Sequence, residues 1–161
     1  MQAIIRRQTL ADLLHRSAKR DPNKTAIVCG DTRWTYAQSH AVCERVAAGL
    51  AQRGVAKGTR VAVLARNSHA FAALRFALAR LGAVLVPINF MLKADEVAFI
   101  LRHAGAQVLA TDSGLAELAL AAAARDTAVR EFVWLPSEDA SDPVRDMVAF
   151  DGIGALVAQM T

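Results

Sequence analysis

Near the start of this chain, apolar residues recur at helical spacing. Leucines at positions 10, 13 and 14 share one helical face, and Thr9 followed by Asp12 is typical of a capping box at a helix start. The helix ends at Asp21-Pro22, because proline lacks the N–H that would continue it.

Two short strands and a second helix follow. Thr25–Cys29 and Arg33–Thr35 flank the turn residues Gly30-Asp31, which predicts a β-hairpin. Thr35 and Gln38 form another capping pair, and apolar residues then recur at three- and four-residue steps until Gly54. This pattern predicts a helix directly after the hairpin.

Regularly spaced apolar runs then alternate with helical stretches. Continuous apolar strands joined through helices favour parallel pairing by right-handed crossovers, with both sheet faces covered. The predicted fold class is α/β, a layered parallel β-α-β sheet with a short N-terminal hairpin. The predicted strands are 60–65, 83–88, 107–111 and 131–135, and the helices between them are 68–81, 94–104 and 114–124.

The character of the chain changes after the last apolar run. Residues 136–146, PSEDASDPVRD, are acidic and contain prolines, which predicts an acidic surface loop. A last short helix is predicted near Asp151.

The composition is that of one globular domain, with 54% hydrophobic and 21% charged residues. Cys29 and Cys43 are too few for a disulfide framework and too far apart for a CxxC pair, so we expect small buried residues in a reducing compartment. The start lacks the apolar run of a signal peptide, and the most apolar segment, 71–88, contains two arginines. We therefore expect a cytoplasmic protein without a transmembrane segment.

The net charge of +4 conceals an asymmetry between the halves of the chain. Residues 1–80 carry 14 Lys and Arg against 4 Asp and Glu, whereas residues 81–161 carry 5 against 11. A basic nucleic-acid-binding domain is one interpretation, testable by a salt-dependent titration. Because the cations are spread over several elements with few interleaved aromatic residues, we expect a solvated face or an interface and no nucleic-acid partner.

Common catalytic motifs are absent. None of the nine glycines forms GxGxxG or GxxxxGK[ST], and no GxSxG occurs, which disfavours simple dinucleotide, P-loop and α/β-hydrolase sites. The four histidines fall on four predicted helices or their starts, without ligand spacing to one another or to a cysteine, so a zinc site is disfavoured. His103 complements the dipole at a helix C-terminus.

Polar residues near the predicted strand ends have structural explanations. Asp95-Glu96 suits the first turn of a helix on dipole grounds. In the stretch ARNS, either Asn67 or Ser68 caps the following helix or turns toward a ligand. The stretch LGAVLVPIN ends a strand at Asn89, where ligands collect in open α/β sheets. The carboxyl ends of the predicted strands are therefore suited to a ligand, but the residues there include no group that would perform a reaction.

The order of several segments resembles a known family. WTY, GVAKGTRVAV, RNS, LGAVLVPIN and ADEVAFILRHAGAQVL occur in the order found in the N-terminal part of the adenylate-forming superfamily, and most resemble the AMP-forming acyl-CoA synthetases, or fatty-acid CoA ligases. The resemblance runs from about Thr9 to Trp134. It implies a parent enzyme that uses ATP and Mg²⁺ to convert a carboxylic acid to acyl-AMP and then forms a thioester with CoA.

The same resemblance implies that residues 1–161 are the N-terminal portion of the AMP-binding (adenylation) domain, truncated before the phosphate-binding loop. The family's phosphate loop, aromatic-Thr-Glu segment, ribose-binding aspartate and C-terminal-domain lysine have no counterpart here. We therefore expect an inactive scaffold with no catalytic residue, metal ligand or bound cofactor. We also expect it to self-associate through helix 115–124, helix 71–82 or an edge strand.

The resemblance places the Pro-Ile-Asn strand end close to the acyl and CoA side of the enzyme. Related aryl-CoA ligases carry an arginine after a Pro-x-Asn-Pro segment, where it meets CoA phosphates, but Phe90 and Met91 replace that proline and arginine here. A phosphate contact at Met91 is therefore not expected. The candidate CoA-side residues are Asn89 and Lys93, with an exposed helix-start lysine as the alternative interpretation of Lys93.

A second functional hypothesis is a self-contained α/β module of flavodoxin-like type that binds a nucleotide or flavin at its strand ends. It predicts a ligand-bound spectrum or a ligand-dependent melting shift. The acyl chain length of a ligase, and CoA versus a carrier protein as acceptor, cannot be read from these residues.

Overall fold

The computed structural model describes residues 9–136. The acidic loop predicted at 136–146 lies outside this range except for Pro136, and so does the helix predicted near Asp151. The described helices are α1 (Leu10–Arg20), α2 (Tyr36–Gln52), α3 (His69–Leu81), α4 (Ala94–Ala104) and α5 (Ala116–Ala123), with a 3₁₀ turn at Ser113–Leu115. The described strands are β1 (Thr25–Cys29), β2 (Thr32–Thr35), β3 (Arg60–Leu64), β4 (Val84–Pro87), β5 (Val108–Thr111) and β6 (Glu131–Trp134).

Both predicted capping boxes are confirmed. The Asp12 N–H donates to Thr9 Oγ1 at 3.3 Å, and the Thr9 N–H donates to Asp12 Oδ2 at 2.8 Å. At the start of α2, the Gln38 N–H donates to Thr35 Oγ1 at 3.2 Å, and the Thr35 N–H donates to Gln38 Oε1 at 2.8 Å. These bonds satisfy backbone donors that a helix leaves unpaired, so both starts are determined locally.

The strands form two sheets, as the α/β prediction requires. β1 and β2 pair antiparallel as the predicted hairpin, while the main sheet has the order β4-β3-β5-β6 and is parallel throughout. Its register aligns Val61 with Leu85 of β4 and with Val108 of β5. The path from β4 to β5 crosses over β3, which places successive crossover helices on opposite faces of the sheet.

Each face of the main sheet has its own core. Val61 and Val63 pack with Leu74 of α3 and with residues of α1 and α2. Ala62 and Leu64 pack against α4 and α5 on the other face. Alternate residues of β3 therefore enter opposite cores, which explains why the strand is apolar without interruption. No helix within residues 9–136 is long and apolar enough to cross a membrane.

Among the described strands, β4 lies at one edge of this sheet. The Val84 and Ile88 N–H groups donate to β3-side carbonyls, those of Thr59 at 2.8 Å and Val63 at 2.9 Å. The backbone groups of Leu85 and Pro87 are consequently directed away from β3, because successive residues of a strand alternate sides. Pro87 has no N–H to donate, so this edge is a poor template for pairing with another strand.

Candidate functional site

The carboxyl ends of β3 and β5 lie side by side at the topological switch point, where the strand order of the sheet reverses. The chain leaves β3 through α3 toward β4, and it returns through α4 to β5 on the other side of β3. In open α/β sheets, ligands bind in the crevice outside such a switch point. The candidate site therefore lies at the carboxyl ends of the strands and includes the loops that follow β3, β4 and β5.

Asp112 joins two of these strand ends. It follows β5, is only 2% exposed, and accepts the Arg66 N–H at its Oδ2 atom at 2.7 Å. Its Oδ1 atom has no hydrogen-bond partner among the described residues. The sequence analysis did not single out Asp112. The available signal was its position, because an aspartate directly after an apolar strand lies where α/β sheets bind ligands.

The turn after β3 is built around the start of α3. Ser68 caps the helix, since its Oγ accepts the Phe71 N–H at 3.2 Å. Of the two roles considered for Asn67 and Ser68, capping is therefore performed by Ser68. Asn67 is exposed beside it and lines a neighbouring cavity.

That cavity runs between α3 and the edge strand. We call it the α3–β4 groove, and its volume is about 620 Å³. Its apolar walls come from both elements, and its charged side chain is an arginine. The residues used below are Asn67, Phe71, Arg75, Phe76, Leu85 and Pro87.

The candidate CoA-side residues lie in the loop from β4 to α4. Asn89 Oδ1 accepts the Met91 N–H at 3.0 Å, so this side chain shapes the turn. Phe90 and Met91 are 44% and 79% exposed. Lys93 is exposed at the N-cap position of α4, and its backbone N–H donates to Glu96 Oε2 at 2.8 Å. The Lys93 ammonium makes no ion pair within the described part of the chain.

The first-turn carboxylates of α4 have structural partners. Asp95 forms an ion pair with Arg125, and Glu96 bonds to the backbone of Lys93. Both lie in the first turn of α4, where a negative charge complements the helix dipole. This agrees with the structural interpretation of the pair.

Two histidines that the sequence separates are brought together. His15 Nδ1 lies 3.1 Å from His40 Nε2, and the ring centroids are 5.0 Å apart. Their separation of 25 residues gave no signal of this contact. His103 lies in the last turn of α4 as predicted and stacks on Phe99. Between residues 9 and 136, no group of three or more histidine, cysteine or acidic side chains could hold a metal ion.

The two cysteines are free but differ in environment. Cys43 is 5% exposed in the core, and burial raises the pKa of its thiol to about 12. Cys29 is only half-buried, and its Sγ accepts the His69 N–H at 3.3 Å. The expectation of two buried cysteines is thus right for Cys43 and wrong for Cys29, because β1 belongs to a two-stranded sheet that leaves part of the strand open.

Comparison with protein families gives one extended match. The model described as "AMP-binding enzyme" matches residues 14–151 of this chain.

Similar proteins include ligases of several acids. The chain is 41% identical over 106 residues to the peroxisomal benzoate–CoA ligase of Arabidopsis thaliana, covering 66% of this chain and 18% of that protein. It is 51% identical over 79 residues to the long-chain-fatty-acid–CoA ligase FadD13 of Mycobacterium tuberculosis, covering 49% and 16%. The chain thus spans less than a fifth of the length of these relatives.

Solved structures show the same fold. The N-terminal domain of FACL13 from Mycobacterium tuberculosis superposes with a TM-score of 0.76 at 37% identity, covering 80% of this chain and 34% of that one. A fatty acyl CoA synthetase of Mycobacterium tuberculosis superposes with a TM-score of 0.75 at 34% identity, covering 84% of this chain and 30% of that one. The α/β architecture is therefore shared with fatty-acid CoA ligases.

Proposed function

The chain belongs to the AMP-binding enzyme family, and from this membership we infer that its parent enzyme activates a carboxylic acid with ATP to an acyl-adenylate and transfers the acyl group to CoA. The match across residues 14–151 carries the proposal. It favours a ligase over the self-contained nucleotide- or flavin-binding module. The long-chain-fatty-acid ligase among the relatives supports a fatty acid as substrate.

Residues 1–161 form the N-terminal portion of the AMP-binding domain in this proposal and act as a scaffold. The phosphate chemistry requires donors that stabilise charge on the α-phosphate, and we assign none of them to this chain. The exposed Lys93 ammonium fits the phosphates of CoA by charge, and Asn89 holds the turn that precedes it. Mg²⁺ would accompany ATP, and residues 9–136 supply no cluster to bind it.

The parent activity is tested with the complete enzyme. Incubation with ATP, Mg²⁺, CoA and a panel of fatty and aryl acids should produce acyl-CoA, detected by mass spectrometry. Adenylate without thioester would contradict CoA as acceptor. A carrier protein would then be the acceptor to examine, because a fatty acid–[acyl-carrier-protein] ligase of Streptomyces coeruleorubidus is also 37% identical over 102 residues.

The role of Lys93 is tested in the same enzyme. Lys93→Gln should raise the KM for CoA while leaving the KM for the acid unchanged, because only CoA brings its phosphates to this loop in the proposal. Lys24→Gln removes an exposed lysine beside the hairpin and is the matched control. Equal effects of the two substitutions would refute a specific CoA contact.

Without the remainder of the domain, the 161-residue chain should be inactive. It should release no pyrophosphate from ATP, Mg²⁺ and fatty acids above a no-protein blank. A pyrophosphate-releasing activity that co-purifies with the chain would contradict the scaffold role.

We propose that the isolated chain self-associates through the outer side of α4 and α5. Phe99 is 60% exposed and Leu120 is 46% exposed on these helices. Burial of such side chains favours association, whereas the β4 edge has too few backbone donors to drive it. Sedimentation should show a concentration-dependent dimer that Leu120→Glu abolishes. Leu13→Glu, at a 49% exposed position on the opposite side of the sheet, is the control.

A further inference from the structure

The α3–β4 groove has two apolar walls, one formed by α3 and the other by β4. Phe71 and Arg75 are one helical turn apart on α3, and Phe76 extends the same wall. On the strand, Leu85 and Pro87 point to one side because they are two residues apart. Since β4 is the edge strand of the sheet within residues 9–136, no described strand covers this side of the groove.

Charge in this groove is uncompensated. Arg75 is exposed and forms no ion pair within the described residues. Arg80, on the same helix, differs because it pairs with Glu44 at 3.0 Å. A cation beside aromatic and aliphatic walls complements a ligand that joins an anion to an apolar body.

The dimensions suit a small molecule. A volume of about 620 Å³ lies within the roughly 300–1,000 Å³ of ordinary ligand sites. Ser68 and Arg75 are seven helical positions apart, or about 10 Å along the axis. One end of the groove lies beside Asn67 at the carboxyl edge, where ligands of α/β sheets bind.

We propose that the α3–β4 groove binds an apolar carboxylate, with the Arg75 guanidinium holding the carboxylate and Phe71, Phe76, Leu85 and Pro87 contacting the hydrocarbon chain. The choice of a carboxylate rests on the proposed function, while the requirement for an anion with an apolar body comes from the groove. Binding needs neither ATP nor CoA.

The test uses the 161-residue chain and two probes of equal chain length and opposite charge. Decanoate, below its micelle-forming concentration, should bind by calorimetry and shift the amide resonances of α3 and β4. Decyltrimethylammonium should bind at least about tenfold more weakly, because Arg75 repels it. Acetate should not bind detectably, since it has no chain to bury.

Substitutions separate charge from shape. Arg75→Gln should weaken decanoate binding about tenfold, whereas Arg130→Gln, an exposed arginine at the opposite end of the sheet, should not change it. Ala72→Trp fills the groove and should abolish binding while Arg75 remains. Circular dichroism checks that each variant is folded.

Three results would overturn the proposal. Equal affinity for the two probes would remove the role of Arg75. Resonance shifts confined to α4 and α5 would place the apolar anion elsewhere. A dimer that Arg75→Glu dissociates and that excludes decanoate would assign the groove to a second copy of the chain. If the complete enzyme forms no acyl-CoA but decanoate binds as described, the proposed function fails and the groove stands.

Discussion

Leu74 lies at the centre of the packing between α3 and the main sheet, and its truncation should destabilise the chain. The side chain is 0% exposed within the core formed with Val61 and Val63. Leu74→Ala removes three carbons at roughly 0.8 kcal/mol each, or about 2.4 kcal/mol. The cavity left behind raises the total to about 3–4 kcal/mol. This is a large part of the roughly 5–15 kcal/mol that stabilises a domain.

Urea unfolding measures this loss. Trp134 is 1% exposed on β6, so its fluorescence should report opening of the sheet. At an m-value of about 2 kcal/mol/M, the midpoint should fall by about 1.5–2 M with unchanged slope. Leu13→Ala removes the same atoms at a 49% exposed position and should cost about 1 kcal/mol or less. Equal losses in the two variants would refute the packing of α3 described here.

Further outcomes follow from single residues. At pH 8, an alkylating reagent should modify half-buried Cys29 and reach Cys43 only on unfolding, as peptide mass spectrometry can check. Burial raises the pKa of the Cys43 thiol from 9.0 to about 12, so above pH 9 the thiol ionises more readily in the unfolded chain than in the folded one. The free energy of unfolding should therefore be unaffected by this thiol below pH 9 and should fall as the pH rises from 9 toward 12. Cys43→Ala should reduce this fall in melting experiments at alkaline pH. Gly82→Ala, at φ 70°, should lower the free energy of unfolding by about 1 kcal/mol or more, and an unchanged melting temperature would contradict the left-handed conformation. Thr35→Ala should cost about 1 kcal/mol by removing the α2 cap, and Thr35→Asp should retain most of it; equal urea midpoints for the two variants would count against the capping bond.

The candidate site was only partly accessible to sequence reasoning. Ser68 as a helix cap and the placement of Asn89 and Lys93 after β4 follow from neighbouring residues. The bond from Arg66 to Asp112 joins residues 46 positions apart, and no local pattern marks it. The groove beside Arg75 depends on which strand is the sheet edge, so it became visible only in three dimensions.

Element boundaries along this chain come from interactions within a few residues. The Thr9–Asp12 capping box is satisfied inside one turn, and Gly82 and Gly105 end their helices in the left-handed conformation that glycine adopts easily. Such contacts involve only residues next to the helix end, so the local sequence marks where the helix begins or stops. Helix and strand periodicity therefore predicted the elements and the α/β class.

Strand order and contacts between distant residues were decided by tertiary packing. Apolar periodicity shows that a strand is buried, but it does not show which strand lies beside it. The placement of β5 next to β3 follows from which crossover covers which sheet face, and that placement brings Asp112 to Arg66. Packing of α1 on α2 likewise brings His15 to His40. A sequence encodes such neighbours only through the free energy of the whole packed core, in which many weak contacts act together.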